Sequence, residues 1–266
     1  MRRTVVSLSA LAVAGLLLTG CGDSSTPTAS SSAPGSATSS PALSGTVNVF
    51  AAASLKEAFT RLGAQFEATH PGTRVVFNFG PSSGLATQIV AGSPADVFAS
   101  ASTRNMDQVI KAGAAASTTD FASNVMEIAV PPDNPAKVSR LSDLARSAVK
   151  VALCQKAVPC GVTAEKVFTN ARLAVTPVTQ EVDVKAVLTK VTLGEVDAGV
   201  VYVTDVRAAG DKVRGILIPA AVNASTKYPI ATLTKAPNRA AAQAFTDYVL
   251  SADGAGVLAS AGFAQP

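Results

Sequence analysis

The chain has 266 residues, 48% hydrophobic and 15% charged, with 5% aromatic and no Trp; that composition suits one large or two-lobed folded unit and excludes a mainly disordered chain. The formal charge of +4 overstates its basic character, because setting aside Arg2 and Arg3 from the 22 Lys and Arg leaves 20 cations against 18 anions, and without a basic run nucleic acid is not a partner. One histidine, His70, and three cysteines exclude a His-rich metal centre, a multi-Cys zinc site and an iron–sulfur cluster, and they argue against His-based catalysis.

The N-terminus reads as an address. Arg2-Arg3 precedes an apolar stretch, Val5 to Leu18, that is short for a bilayer span. Leu18-Thr19-Gly20-Cys21 resembles a bacterial lipobox, so residues 1–20 are expected to be a lipoprotein signal peptide and Cys21 the lipidated residue. Residues 21–45 are rich in Ser, Thr, Pro, Ala and Gly and are expected to form a disordered tether, because such a composition cannot offset its chain entropy by burial. The expected location is extracytoplasmic, anchored to the cell membrane. In that oxidising compartment Cys154 and Cys160 are expected to pair as a structural disulfide.

From Thr46 the chain alternates strand-like and helix-like segments. Val47 to Ala51 reads as a buried strand, and Leu55, Ala58, Phe59, Leu62 and Phe66 then mark one helical face. Ser54-Leu55-Lys56-Glu57 matches a capping box at the start of that helix. Arg74 to Phe79 is a second strand, leading through Gly80-Pro81-Ser82-Ser83-Gly84 into a helix with Leu85, Ile89 and Val90. Asp96 to Ala99 is a third strand, followed by a helix carrying Met106, Val109 and Ile110 and stopped at Gly113. Farther on, Val149 to Leu153 is a strand and Thr163 opens a helix through Val167 and Phe168. Asp183 can cap a helix carrying Val184, Val187, Leu188 and Val191; Ala198 to Val203 is another buried strand, and Asn238 caps a final helix through Ala242, Phe245 and Val249. The alternation predicts α/β lobes with largely parallel sheets. Met126 to Val130 and Tyr228 to Leu233 are the expected crossings between lobes.

Gly80-Pro81-Ser82-Ser83-Gly84 matches G-x-S-x-G between a strand and a helix, the setting of a hydrolase nucleophile. A serine hydrolase using Ser82 would need a base, yet His70 precedes Ser82, lies in a His-Pro-Gly turn and has no histidine after it. The competing use of the same serine is anion binding. Helix N-termini carry unpartnered N–H groups and the positive end of the dipole, and ligands of open α/β sheets sit at the carboxyl ends of strands. Ala53-Ser54 and Ser82-Ser83 both fall there. Plain N-capping explains either serine alone; two such turns in one lobe make binding a competitive reading. Asp96, Asp183 and Asp205 lie in separate elements without metal-ligand spacing.

These residues carry a family resemblance. Phe50-Ala51-Ala52-Ala53-Ser54-Leu55, Pro81 to Ile89, Ser93 to Ala101 and Val201-Tyr202-Val203-Thr204-Asp205 resemble, in order and spacing, the periplasmic molybdate-binding proteins of ABC importers. Tyr228-Pro229-Ile230 and Ala261-Gly262-Phe263 fit as well. The resemblance implies a two-lobed class II periplasmic-binding-protein fold with the ligand cleft between lobes, lobe 1 being residues 46–127 plus 231–266 and lobe 2 residues 128–230. It implies capture of molybdate, and of tungstate, for delivery to an ABC permease by a monomer with no cofactor and no enzymatic activity; another oxyanion such as sulfate is the near alternative. The implied contacts are Ser54, Ser82, Cys160, Val184 and Tyr202, with Ser83 as an additional one; Cys160 stands where the family usually has alanine. Hydroxyl and N–H donors without a buried Arg or Lys would suit an unprotonated dianion.

Overall fold

The computed structural model describes residues 43–266; the expected signal peptide, Cys21 and the tether as far as residue 42 lie outside them. The last residues assigned to the tether are part of the fold. Leu43 packs against the core, and Gly45 opens the first strand.

The elements run β1 (Gly45–Ala52), a 3₁₀ turn (Ala53–Leu55), α1 (Lys56–Thr69), β2 (Thr73–Gly80), α2 (Ser82–Val90), β3 (Val97–Ala99), α3 (Thr103–Lys111) and the long β4 (Thr119–Val130). There follow β5 (Val151–Cys154), α4 (Pro159–Asn170), β6 (Thr179–Glu181), α5 (Val184–Thr192), β7 (Ala198–Tyr202), α6 (Val203–Ala209), β8 (Arg214–Leu217), β9 (Ser225–Thr232), α7 (Arg239–Leu250) and α8 (Ala252–Ala261).

Strand order is β2-β1-β3-β9-β4-β7-β5-β6, with β8 also on β4. β1 pairs in parallel with β2 and β3, and β5 in parallel with β6 and β7. The sheets are mixed rather than largely parallel, because β9 runs antiparallel to β3 and β4, and β4 antiparallel to β7 and β8. Residues 119–125 of β4 pair with β9, whereas Met126 to Ala129 pair with β7. One strand thereby joins two lobes, each with its own apolar core.

In the first lobe α1 buries Phe59, Leu62 and Phe66. Phe245 of α7 meets Phe66 edge-on at 5.4 Å between ring centroids and Phe59 at 6.3 Å. Each such ring contributes about 1.5–3 kcal/mol by leaving water. In the second lobe Val151 and Ala152 of β5, Val187 and Val191 of α5, and Val200 and Val201 of β7 form a separate buried cluster. The expected final helix is two: α7 stops at Leu250, and Ser251 Oγ accepts from Gly254 N–H to start α8. Asn238 precedes α7 but does not cap it through its side chain; its Nδ2 donates to Ser44 and Thr46 carbonyls.

α4 begins four residues before the expected Thr163, with Pro159 in its first turn, where the missing N–H costs nothing and the fixed φ suits a helix. Cys154 at the end of β5 is bonded to Cys160, with Cα atoms 5.8 Å apart. The disulfide ties the helix start to the strand end. The tie needs Gly161, since a Cβ there would lie 2.0 Å from the Gln155 carbonyl oxygen. On loop entropy this short ring stabilises the fold by about 2 kcal/mol. Reduction, or Cys154→Ser with Cys160→Ser, is expected to lower the thermal midpoint by roughly 4–8 °C in calorimetry; an unchanged midpoint would show that the bridge does not constrain the unfolded chain.

Candidate functional site: a hydroxyl-lined cavity between the lobes

Where the two lobes face one another, a cavity of about 20 Å³ is lined by Ala52, Ala53 and Ser54, by Gly80, Pro81 and Ser82, by Ala101, by Val158, Pro159 and Cys160, and by Asp183, Val184 and Tyr202. A single water needs roughly 10–15 Å³, so the space suits a compact ion, not a sugar or peptide. Ser54, Ser82, Cys160, Val184 and Tyr202, spread over 149 positions of sequence, all line it. Ser83 does not; its carbonyl accepts from Thr87 Oγ1 along α2.

Topology explains the convergence. β1, β2 and β7 all end at this cavity. The turns that leave them, and those after β5 and β6, start helices there: the 3₁₀ turn into α1, then α2 at Ser82, α4 at Pro159 and α5 at Val184. First-turn N–H groups have no partner inside their helix, and the dipole is positive at that end. Asp183, the only acid in the lining, turns Oδ1 back to accept from Ala186 N–H as the expected cap of α5.

The serines do not cap. Ser54 lies inside the 3₁₀ turn, 4% exposed, with Oγ 2.9 Å from Tyr228 Oη. The expected capping box is absent: Glu57 reaches across to Lys185 instead. Ser82 is the first residue of α2 and 1% exposed; its Oγ accepts from Ala101 N–H at 2.9 Å. With that lone pair engaged, the Ser82 hydroxyl hydrogen is the polar group left for the cavity. Tyr202 is 1% exposed, and its Oη has no partner in hydrogen-bond geometry; the nearby Thr163 hydroxyl, which would hold a phenolate, donates to the Pro159 carbonyl instead. Burial raises its pKa well above the ordinary phenol value, so it stays a protonated donor without an acceptor. Buried hydroxyls are normally paired, so this one is an observation in its own right.

Ser82 has no base for nucleophilic catalysis. His70, at the far end of α1, stacks on Phe66 and bonds its carbonyl oxygen through Nδ1 at 3.0 Å. Among the described residues no group of three His, Cys, Asp or Glu could hold a metal ion. Asp96 is fully buried but receives Asn48 and Asn238 N–H groups at 2.8 Å each.

The sequence reading missed one charged group. Lys185, the second residue of α5, puts Nζ 2.7 Å from Glu57 Oε2 on α1 and 2.9 Å from Asp205 Oδ1 on α6. The Glu57 contact crosses between lobes. Asp205 is fully buried; its Oδ2 accepts from Tyr202 N–H at 3.1 Å, and its Oδ1 pairs with Lys185 by charge without hydrogen-bond alignment. Burial pushes Asp205 up to about 6, against the opposing pull of Lys185. Burial would lower Lys185, but the two carboxylates outweigh it and raise its pKa. A cation therefore stands beside the cavity, neutralised by partners and outside the lining.

A model for bacterial extracellular solute-binding proteins matches residues 47–264. The chain belongs to that family. Its location is accordingly extracytoplasmic. A protein of Mycobacterium tuberculosis named molybdate-binding protein ModA is 42% identical over 260 residues, covering 97% of this chain and 96% of that protein. The Escherichia coli protein of the same name is 31% identical, covering 82% and 89%. The solved periplasmic molybdate-binding protein of Azotobacter vinelandii superposes with a TM-score of 0.74 at 20% identity, covering 83% of this chain and 99% of that one; this likeness is one of fold, and the fold is the two-lobed one expected. The relatives carry the names of binding proteins rather than of enzymes.

The ion triad makes a pH-resolved prediction. Folded Asp205 keeps its proton to about pH 6, whereas unfolded it would lose it near pH 4. Its contribution to stability therefore falls as pH rises through that window and stays low above it. Lys185→Met strands the ionised carboxylate, and the expected loss is about 3–5 kcal/mol at pH 8 and much less at pH 5, read by urea unfolding. Equal losses at both pH values would disprove the assignment.

Proposed function

We propose that this protein captures molybdate, and tungstate, outside the membrane and delivers it to an ABC import permease without chemical change. The observation that carries the reading is the unpartnered Tyr202 hydroxyl in a small cavity that also receives Ser54, Ser82 and four helix starts. Such a lining offers donors. A tetrahedral dianion that bears no proton can accept from all of them, whereas hydrogenphosphate brings an O–H that needs an acceptor, and an unmet buried donor costs about 1–3 kcal/mol. The names of the relatives point to the same ligand.

In this mechanism the anion first meets the serines of one lobe, Ser54 and Ser82. Closure then brings up the backbone N–H groups of Cys160 and Val184 and the phenol of Tyr202. Bending takes place where β4 changes partner from β9 to β7, between Val125 and Met126 and close to the proposed lobe boundary at residues 127–128, and where the chain returns to the first sheet at the start of β9. The anion favours the closed form by its difference in affinity for the two states, and the Glu57–Lys185 pair adds a contact made only on closure. A lipid on Cys21 and the tether beyond it keep the monomer at the membrane surface, within reach of the permease.

Titration calorimetry on residues 43–266 is expected to give tight binding of molybdate and tungstate and weak or absent binding of sulfate and phosphate. Ser54→Ala and Ser82→Ala should each weaken molybdate binding roughly 10- to 100-fold, the range for a hydrogen bond to a charged group, with the ligand-free protein still folded and its thermal midpoint lowered by roughly 2–12 °C for the buried donor each substitution strands. Unchanged affinity in the double variant would remove this site assignment, and labelling of Ser82 by a serine-reactive probe would replace transport with hydrolysis.

A further inference from the structure

Tyr228 lies on β9, fully buried, and is not among the residues that line the cavity. Its ring is held edge-on by Phe121, Tyr202 and Phe263, at centroid distances of 6.2, 6.3 and 5.2 Å. Ser54 Oγ, at 2.9 Å, is the hydrogen-bond partner of its hydroxyl among the described residues. Either oxygen could donate, and the two choices leave different chemistry at the cavity. Were Ser54 the donor, the Tyr228 hydrogen would be buried among aromatic rings with no acceptor, and Ser54 would face the ligand with lone pairs. With Tyr228 as donor both hydrogens are placed, because Ser54 borders the cavity and can send its own hydrogen there. The nearby Asn124 amide, whose Nδ2 donates to Thr204 Oγ1 at 2.9 Å and whose Oδ1 accepts from Val125 N–H at 3.0 Å, bears on the Tyr228 oxygen as a donor, which leaves the phenol hydrogen for Ser54. Burial also raises the Tyr228 pKa, which keeps the phenol protonated.

We infer that Tyr228 is a positioning residue that fixes the polarity of Ser54, donating to its oxygen so that Ser54 can only donate to the ligand, and that this excludes protonated oxyanions. Ala101 N–H does the same for Ser82 through the backbone, which no side-chain substitution can remove; Tyr228 is the half of the device that mutation can reach. The inference deepens the proposed oxyanion-binding function and rests on it for the identity of the ligand.

The test compares wild type, Tyr228→Phe, Ser54→Ala and the double variant, each titrated with molybdate, sulfate and phosphate. Once the phenol is removed, Ser54 can turn its lone pairs to a ligand O–H. The expected result is a ratio of molybdate to phosphate affinity at least tenfold lower in Tyr228→Phe, with no such change when Tyr228→Phe is added to Ser54→Ala. A role in packing alone would weaken both anions alike, and an unchanged ratio overturns the inference. If wild type prefers sulfate, the choice of ligand fails while the sulfate-to-phosphate ratio still reads the polarity. If wild type binds none of the three anions, a neutron structure of the ligand-free protein decides: a deuteron on Tyr228 Oη directed at Ser54 Oγ supports the inference, and one on Ser54 directed at Tyr228 overturns it.

Discussion

The site depends on one property of the helical backbone, that its first-turn N–H groups have no partner within the helix. A fold that brings several helix starts to one point must satisfy those groups with water or with an anion. Here the start of α1's 3₁₀ turn and those of α2, α4 and α5 meet at one small cavity; the Ser82 oxygen already accepts from Ala101 N–H, and the Ser54 oxygen, on the inference above, from Tyr228. Donors are plentiful and acceptors scarce, and that imbalance follows from strand order rather than from any single side chain.

Formal charge is kept just outside the lining. Lys185 stands one residue beyond Val184, yet two carboxylates hold its ammonium. A lysine inside the cavity would bind an anion through a long-range field that barely distinguishes shape or protonation, and it would slow release to a transporter. Hydrogen bonds from fixed dipoles fall off quickly when geometry is wrong, so they discriminate. In the proposed mechanism, placing the cation in a triad that bridges the lobes lets it contribute to closure instead, and it anchors Asp205, whose other oxygen holds the Tyr202 backbone in place.

Much of the layout was legible in the sequence because it is local. Buried strands alternating with amphipathic helices gave the α/β lobes, and strand-to-helix turns carrying Ser54 and Ser82 marked the carboxyl ends that border the cavity. What failed was the capping box read at Ser54-Leu55-Lys56-Glu57. Capping preference is a short-range rule, and Tyr228, 174 positions away, outcompetes it for Ser54. The start of α4 was misread for a related reason: Thr163 is a good cap residue, but Pro159 and the disulfide to Cys154 begin the helix earlier. The Glu57–Lys185–Asp205 triad had no local signal, since its members face one another only after the lobes pack.

The proposed second-lobe contacts form a different case. Cys160, Val184 and Tyr202 carry no distinctive chemistry as residue types, and only family resemblance singled them out. Their place at the cavity has a physical basis nonetheless. In the proposed site Cys160 and Val184 would offer backbone, and backbone is positioned by whatever fixes the helix start: the disulfide and Gly161 for α4, the Asp183 cap for α5. A site made of main-chain groups leaves its trace in the residues that hold the turns. A cysteine at position 160 costs such a site nothing, because its sulfur is bonded to Cys154 and its N–H belongs to the first turn of α4.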